Sequence, residues 1–165
     1  MNADAFRHFY GYHFAENRKI WACVTLLSHD QFTQALDYSH GSVREHIIHL
    51  INVDEIWFSE LRGIVPSEPF PPSNSDDRDV IRAHWDSVEQ SMREYLAALR
   101  DDRLFDTPIK EPDEDRDLIV WQVLLHVVNH GTDHRAQLLR SLHDLGVKTT
   151  SQDYIFYVYD HPMKP

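Results

Sequence analysis

The sequence predicts an all-α fold: an antiparallel four-helix bundle completed by a short C-terminal helix or extended element. Three observations carry this prediction. Four long segments place apolar residues at the helical period. Short breaks rich in capping and turn residues separate those segments, and the proline-dense stretch falls between the second and the third. Residues 1–165 read as a single domain, long enough to bury a core without staples.

The first segment runs from about Asp4 to Ser28, with Phe6, Tyr10, His13, Ile20, Val24 and Leu27 on one stripe, and "SHDQF" breaks it. The second covers about 42–61. It opens at Ser42, whose hydroxyl can cap backbone amides, and Glu45 three residues later completes a capping box. "RGIVPSEPFPPSNS" ends it, because Gly63 and four prolines suit neither a helix nor a central strand. The third, about 76–100, starts near Ser75 or Asp76, where acidic residues match the positive helix terminus. Its inward residues are Val80, Trp85, Val88, Met92, Tyr95, Leu96 and Leu99. "RDDRLFDTPIKEPDEDRD" is a connector in which "PIK" can pair briefly as a strand. The fourth helix, about 117–145, ends at Gly146, a natural left-handed cap. The C-terminal element, 151–160, reads as a short aromatic helix across the bundle, although its Tyr, Ile, Phe and Val content also suits a strand.

Composition narrows the partners. The formal charge is −11, with 16 basic against 27 acidic residues and no Lys/Arg run, so nucleic acid is not an expected ligand. No run of 18 apolar residues predicts a membrane span. The first residues carry neither a basic flank before an apolar stretch nor a small-residue cleavage site, so no signal peptide is expected. Cys23 stands alone, which excludes an internal disulfide and suits a reducing, cytoplasmic location.

Twelve histidines are the unusual feature, of which His8, His29, His40, His84 and His161 are expected at the surface. "WQVLLHVVNHGTDHRAQLL" sets His126, His130 and His134 four apart in an apolar run. Each residue of a helix turns about 100°, so the three share a face. They cannot share one ion. His126 and His134 are separated by about 12 Å of helix rise, whereas nitrogens on one zinc lie about 3–3.5 Å apart. Only an adjacent pair can chelate, and a third ligand must come from elsewhere. The second helix offers His46 and His49, on a stripe with Leu50, Val53, Ile56 and Trp57 that should point into the bundle. In the fourth helix Trp121, Leu125, Val128 and Leu139 define a separate apolar face, which implies packing on two sides, a subunit interface among them. Spacing alone leaves two readings open: a metal site, or buried neutral histidines linked by hydrogen bonds.

Other chemistries find less support. "HGTDH" lacks the glutamate that follows the first histidine of a zincin. Five glycines supply no phosphate loop, and no Glu-x-x-His motif for a di-iron bundle occurs. No serine sits in a strained-turn motif, and Cys23 reads as a small core residue rather than a nucleophile.

"GSVREHIIHLINVDEIWFSELRG", "LLHVVNHGTDHRAQLLRSLHDLG" and the tail "SQDYIFYVYD" together resemble the DinB/YfiT-like family of metal-binding four-helix bundles over nearly the whole chain. The resemblance implies His49, His130 and His134 as metal ligands. It places His126 beside the site without counting it as a ligand, and leaves His46 as a neighbour or core residue. Arg135-Ala136-Gln137 stands where the family usually has Arg-Gly-Gln, a small-for-small change. Asn129, Asp133 and Gln137 can orient ligands or water around the ion, or simply be polar residues facing solvent on the helix. Three imidazoles leave a coordination position open, which lets a metal acidify bound water or a thiol. Zinc or nickel suits such a site first, with iron or manganese also compatible. By resemblance the activity is that of a metal-dependent hydrolase or of a transferase using a low-molecular-weight thiol such as bacillithiol or mycothiol on a small-molecule substrate. The alternative is a non-catalytic metal-binding stress-response or interaction module. A homodimer is expected.

Overall fold

The structure, a computed structural model, describes residues 1–65, 68–70, 76–111 and 116–163. Its helices are α1 (Ala3–Val24), α2 (His29–Thr33), α3 (Val43–Leu61), α4 (Arg78–Ala98), α5 (Val120–Asp144) and α6 (Tyr154–Asp160). A single turn of 3-10 helix (Asp101–Arg103) and a two-stranded antiparallel ribbon, β1 (Ile109–Glu111) with β2 (Arg116–Leu118), lie between α4 and α5.

The four long helices close a ring in which α1 packs on α5, α5 on α3, α3 on α4, and α4 on α1. Side-chain contacts give the directions. Arg7 donates to Leu96 O and Arg18 to Glu89, so α1 and α4 are antiparallel. His46 meets His134 and His49 meets His130, so α3 and α5 are also antiparallel. Along the other two edges the helices run parallel: Tyr10 reaches Leu124 O and Asn17 reaches Arg135, while His84 meets Glu55 and Arg62 meets Ser91. The expected antiparallel arrangement therefore holds at two edges of the four. Parallel neighbours need a connection that returns the chain along a whole helix, and the segment from Arg62 to Asp77 is long enough to do so.

Helix boundaries follow from local hydrogen bonding. Ser42 and Glu45 form the expected capping box of α3. Gly146, at φ 86°, follows the end of α5 as the left-handed residue expected there. Three boundaries shift from expectation. The first helix ends at Val24, and "SHDQF" is itself a short helix, with Ser28 and Gln31 forming a second capping box. Leu27 is still buried, so its apolar signal extends past the helix. The third long helix, α4, runs 78–98, capped by Asp77, whose carboxylate accepts from Asp79 N and Val80 N. Val80 is exposed rather than inward, and the alternative start at Ser75 lies outside the described residues. The last long helix begins at Val120, because Asp117 is held in β2 opposite Lys110. Its first amides are satisfied from the connector, Val120 N by Asp106 O and Trp121 N by Leu104 O. The "PIK" strand is present as the start of β1. The tail forms helix α6 over Tyr154–Asp160.

The core is filled by Phe6, Tyr10, Phe14, Ile47, Leu50, Ile51, Trp85, Leu124 and Leu138, all buried. α1 and α5 approach closely at Gly131, where a Cβ would lie 2.5 Å from His13 Cε1 and 2.9 Å from an Arg135 guanidinium nitrogen. We expect Gly131→Ala to destabilise the fold by about 1–3 kcal/mol, the usual cost of overpacking. Urea unfolding checks this, and an unchanged midpoint would show that the crossing has slack. Among the described residues no helix is long and apolar enough to cross a membrane.

Candidate metal centre

Antiparallel packing of α3 on α5 turns two sequence spacings into one cluster. Residues three apart on α3 and four apart on α5 each share a face, so His46 and His49 meet His134 and His130 in reverse order. His46 Nε2 lies 2.9 Å from His134 Nδ1, and His49 Nε2 lies 3.2 Å from His130 Nε2. The rings of His130 and His134 are 4.1 Å apart and those of His49 and His134 are 4.6 Å apart. His49, His130 and His134 can each offer a ring nitrogen within 4.8 Å of the others. This brings together the three residues singled out as ligands.

The donor set suits a divalent ion. Two unprotonated nitrogens at such separations repel unless a proton or a cation lies between them. His130 Nδ1 is buried and has no hydrogen-bond partner in the structure. Burial comes first among the causes that depress these imidazoles, followed by neighbouring rings. It holds His46 down to about 3 and His130 to about 3, each aided by His134 among others. His49 is held down to about 4 by burial and then by His40 and His134. His134 is lowered by burial and His40, against a smaller upward pull from Asp133. All are therefore neutral near pH 7, the state in which imidazole binds metals.

The sign of the pH effect follows. These groups bind fewer protons folded than unfolded between the ordinary histidine range and their depressed values, so stability rises with pH across that window. The metal-free protein should thus lose thermal stability as pH falls from about 6.5 towards 4, with the full contribution present above that range. Melting temperatures of wild type and His46→Gln across this window check it. Equal slopes for the two proteins would remove the cluster as the cause.

His46 is buried as expected, whereas His49, Val53, Ile56 and Trp57 are only half-buried. That stripe borders the bundle instead of entering it. His126 is exposed, packed edge-on against Trp57 at 5.2 Å, with its ring 5.9 Å from that of His130. Gln137 Nε2 donates to Asp133 Oδ2, and Gln137 Oε1 accepts from Ser39 Oγ in the loop before α3. Gln137, braced by Asp133, thus tethers that loop to α5. Asn129 lines a cavity between α1, α5 and the tail.

His40 lies at the surface as expected, but it also joins the cluster. Though exposed, it stacks on His49 at 4.0 Å and lies 4.9 Å from both His46 and His134. Its loop has no periodicity that would announce this placement. The available cue was its position just ahead of the Ser42 cap, within reach of the first turn of α3. His84 also leaves the open surface, bonding Glu55 Oε2 at 3.1 Å and stacking on Phe70. Cys23 is half-buried against the core with its thiol pushed up by burial, the opposite of an activated nucleophile.

A second polar group, unread in the sequence, lies behind the histidines. Arg135 is fully buried. One guanidinium nitrogen donates to Asn17 Oδ1 at 2.9 Å and to His13 Nδ1 at 3.1 Å, while Nε donates to Gln152 Oε1 at 3.2 Å. Since His13 Nδ1 accepts, its Nε2 carries the proton and faces Asp54 Oδ2 at 3.3 Å. Burial keeps His13 neutral, lowering its pKa against the pull of Asp54.

Two cavities border His126. One of about 820 Å³ is walled by Phe9, Tyr12, Trp121, Leu125, Asn129 and Tyr154. The other, of about 570 Å³, is walled by Trp57, Leu118 and Val123. Both include Gln122 and His126, and neither wall includes His49, His130 or His134.

A helical bundle carrying an imidazole cluster between its second and last long helices is the class that fold and site define. The sequence profile of the DinB family matches residues 1–163. The chain belongs to the DinB family. No curated protein matches it significantly.

Proposed function

We propose that this protein is a metal-dependent hydrolase or thiol-dependent transferase in which His49, His130 and His134 hold a divalent ion, zinc or nickel in the first instance. The observation that carries the reading is the convergence of three neutral imidazole nitrogens within 4.8 Å. When bound, the ion would act as a Lewis acid with a position left open beyond its three nitrogens. The chain's own residues supply the rest. Phe9, Tyr12, Trp121, Leu125 and Tyr154 offer an apolar wall that keeps water from a small-molecule substrate. Gln122 and His126, common to both cavities, present polar groups that can orient it.

One observation favours a second reading, metal binding without turnover: the three histidines stand outside the lining of both cavities. Metal content of the purified protein, followed by transfer of several low-molecular-weight thiols to 1-chloro-2,4-dinitrobenzene with and without chelator, separates the two. Chelator-sensitive turnover is the expected result. Stoichiometric metal with no reaction across the thiol panel would leave the non-catalytic module. Pairing of two copies belongs to the same proposal, supported by the exposed Ile155, Phe156 and Tyr159 on α6. A monomer in sedimentation velocity would overturn that part.

A further inference from the structure

We infer that the imidazole cluster contains a second seat for a divalent transition-metal ion, formed by His40, His46 and His134. It goes beyond the site proposed above and shares His134 with it. The three residues offer ring nitrogens within 4.8 Å of one another, as His49, His130 and His134 do. The 2.9 Å between His46 Nε2 and His134 Nδ1 is close to the separation of two imidazole nitrogens on one tetrahedral ion, about 3–3.5 Å.

His40 is held in place over this pair. Ser39 and Gly41 on either side both adopt left-handed backbone, at φ 58° and 87°. Ser39 Oγ donates to Gln137 Oε1 on α5, and Leu36 N donates to Gly41 O across the turn. These constraints leave the His40 ring equidistant from the rings of His46 and His134, at 4.9 Å. The donor set is again all imidazole, which selects zinc, nickel, cobalt or copper over magnesium or calcium.

The two sets overlap at His134 alone. Filling both together would require that imidazole to lose its remaining proton, and two dications an imidazole's width apart repel strongly. The seats are therefore alternatives for one ion. They also differ in access, since His40 is exposed while His49, His130 and His134 are all half-buried. An ion arriving from solvent meets the His40 seat first and passes to the inner seat as His49 and His130 replace His40 and His46.

The test uses the full chain and Zn²⁺ or Co²⁺ alone. Metal retained after gel filtration and the Co²⁺ visible spectrum are compared for wild type, His49→Ala/His130→Ala, His40→Gln/His46→Gln, the quadruple variant and His134→Ala. Helical circular dichroism confirms folding of each, and the glutamine pair preserves side-chain bulk at buried His46. The expected result is one equivalent in wild type and one more weakly held equivalent, with an altered Co²⁺ spectrum, in His49→Ala/His130→Ala. The quadruple variant and His134→Ala should hold none. If His49→Ala/His130→Ala binds no more metal than the quadruple variant, the second seat is overturned, while metal in wild type leaves the inner site standing. If His40→Gln/His46→Gln loses metal as completely as the quadruple variant, one composite site replaces both seats. Wild type without metal would overturn the inner site and the second seat together.

Discussion

Arg135→Ala should lower the unfolding free energy by about 3–5 kcal/mol, the range for removing one partner from a buried ionic group. Arg135 is completely buried, and its guanidinium is the hub on which Asn17, His13, Thr132 and Gln152 converge. Truncation would leave the Asn17 carbonyl and His13 Nδ1 without their donor in a dry interior. The carboxyl group of Asp54, 1% exposed and reached through His13, would lose the positive charge of Arg135 on the far side of that ring. Arg135→Lys keeps the charge but not the planar fork, so it should recover only part of the loss. Urea unfolding at pH 7 reads both variants. A change below about 1 kcal/mol for Arg135→Ala would mean that water replaces the guanidinium and that the network is not a structural element.

The second large effect concerns the ion. His49→Ala, His130→Ala and His134→Ala should each weaken Zn²⁺ binding by more than the ~10–100-fold that loss of an outer partner costs. His46→Ala and His126→Ala should leave tight binding in place. Each of the first three offers a nitrogen to the inner set, whereas His126 stands with its ring 5.9 Å from that of His130 and packs on Trp57. Competition against a chelating dye measures all five. Tight binding retained by His49→Ala but lost in His46→Ala would reverse the assignment of the α3 ligand.

How much of this was legible in the sequence depended on whether the cause was local. Capping boxes, the glycine that ends α5 and the three-and-four spacing of histidines act within one or two turns, and each is visible in a short window. α5 starts at Val120 rather than Asp117, although an acidic residue would suit a helix N-terminus. The Asp117 backbone is instead claimed by pairing with β1, which only the folded connector provides. His40 was missed for a similar reason: loop residues have no period, and its contacts depend on a turn held by Gln137, far along the chain. Asp54 could have been found. It falls on the buried line of α3 with Ile47, Leu50, Ile51 and Phe58, and a carboxyl group in that company requires a partner on another helix.

The missing Cβ at Gly131 does more than admit α1. With His13 seated against that position and Arg135 bonded to it one turn later, a roll of α5 about its own axis would break these contacts. Side-chain tips lie about 5–6 Å from a helix axis, so a roll of about 10° would carry an imidazole nitrogen sideways by about 1 Å. The rotational phase of His130 and His134 is thus set from the α1 side of the helix they occupy. A substitution at residue 131 reaches the histidines as a lever, loosening their convergence without touching one of them.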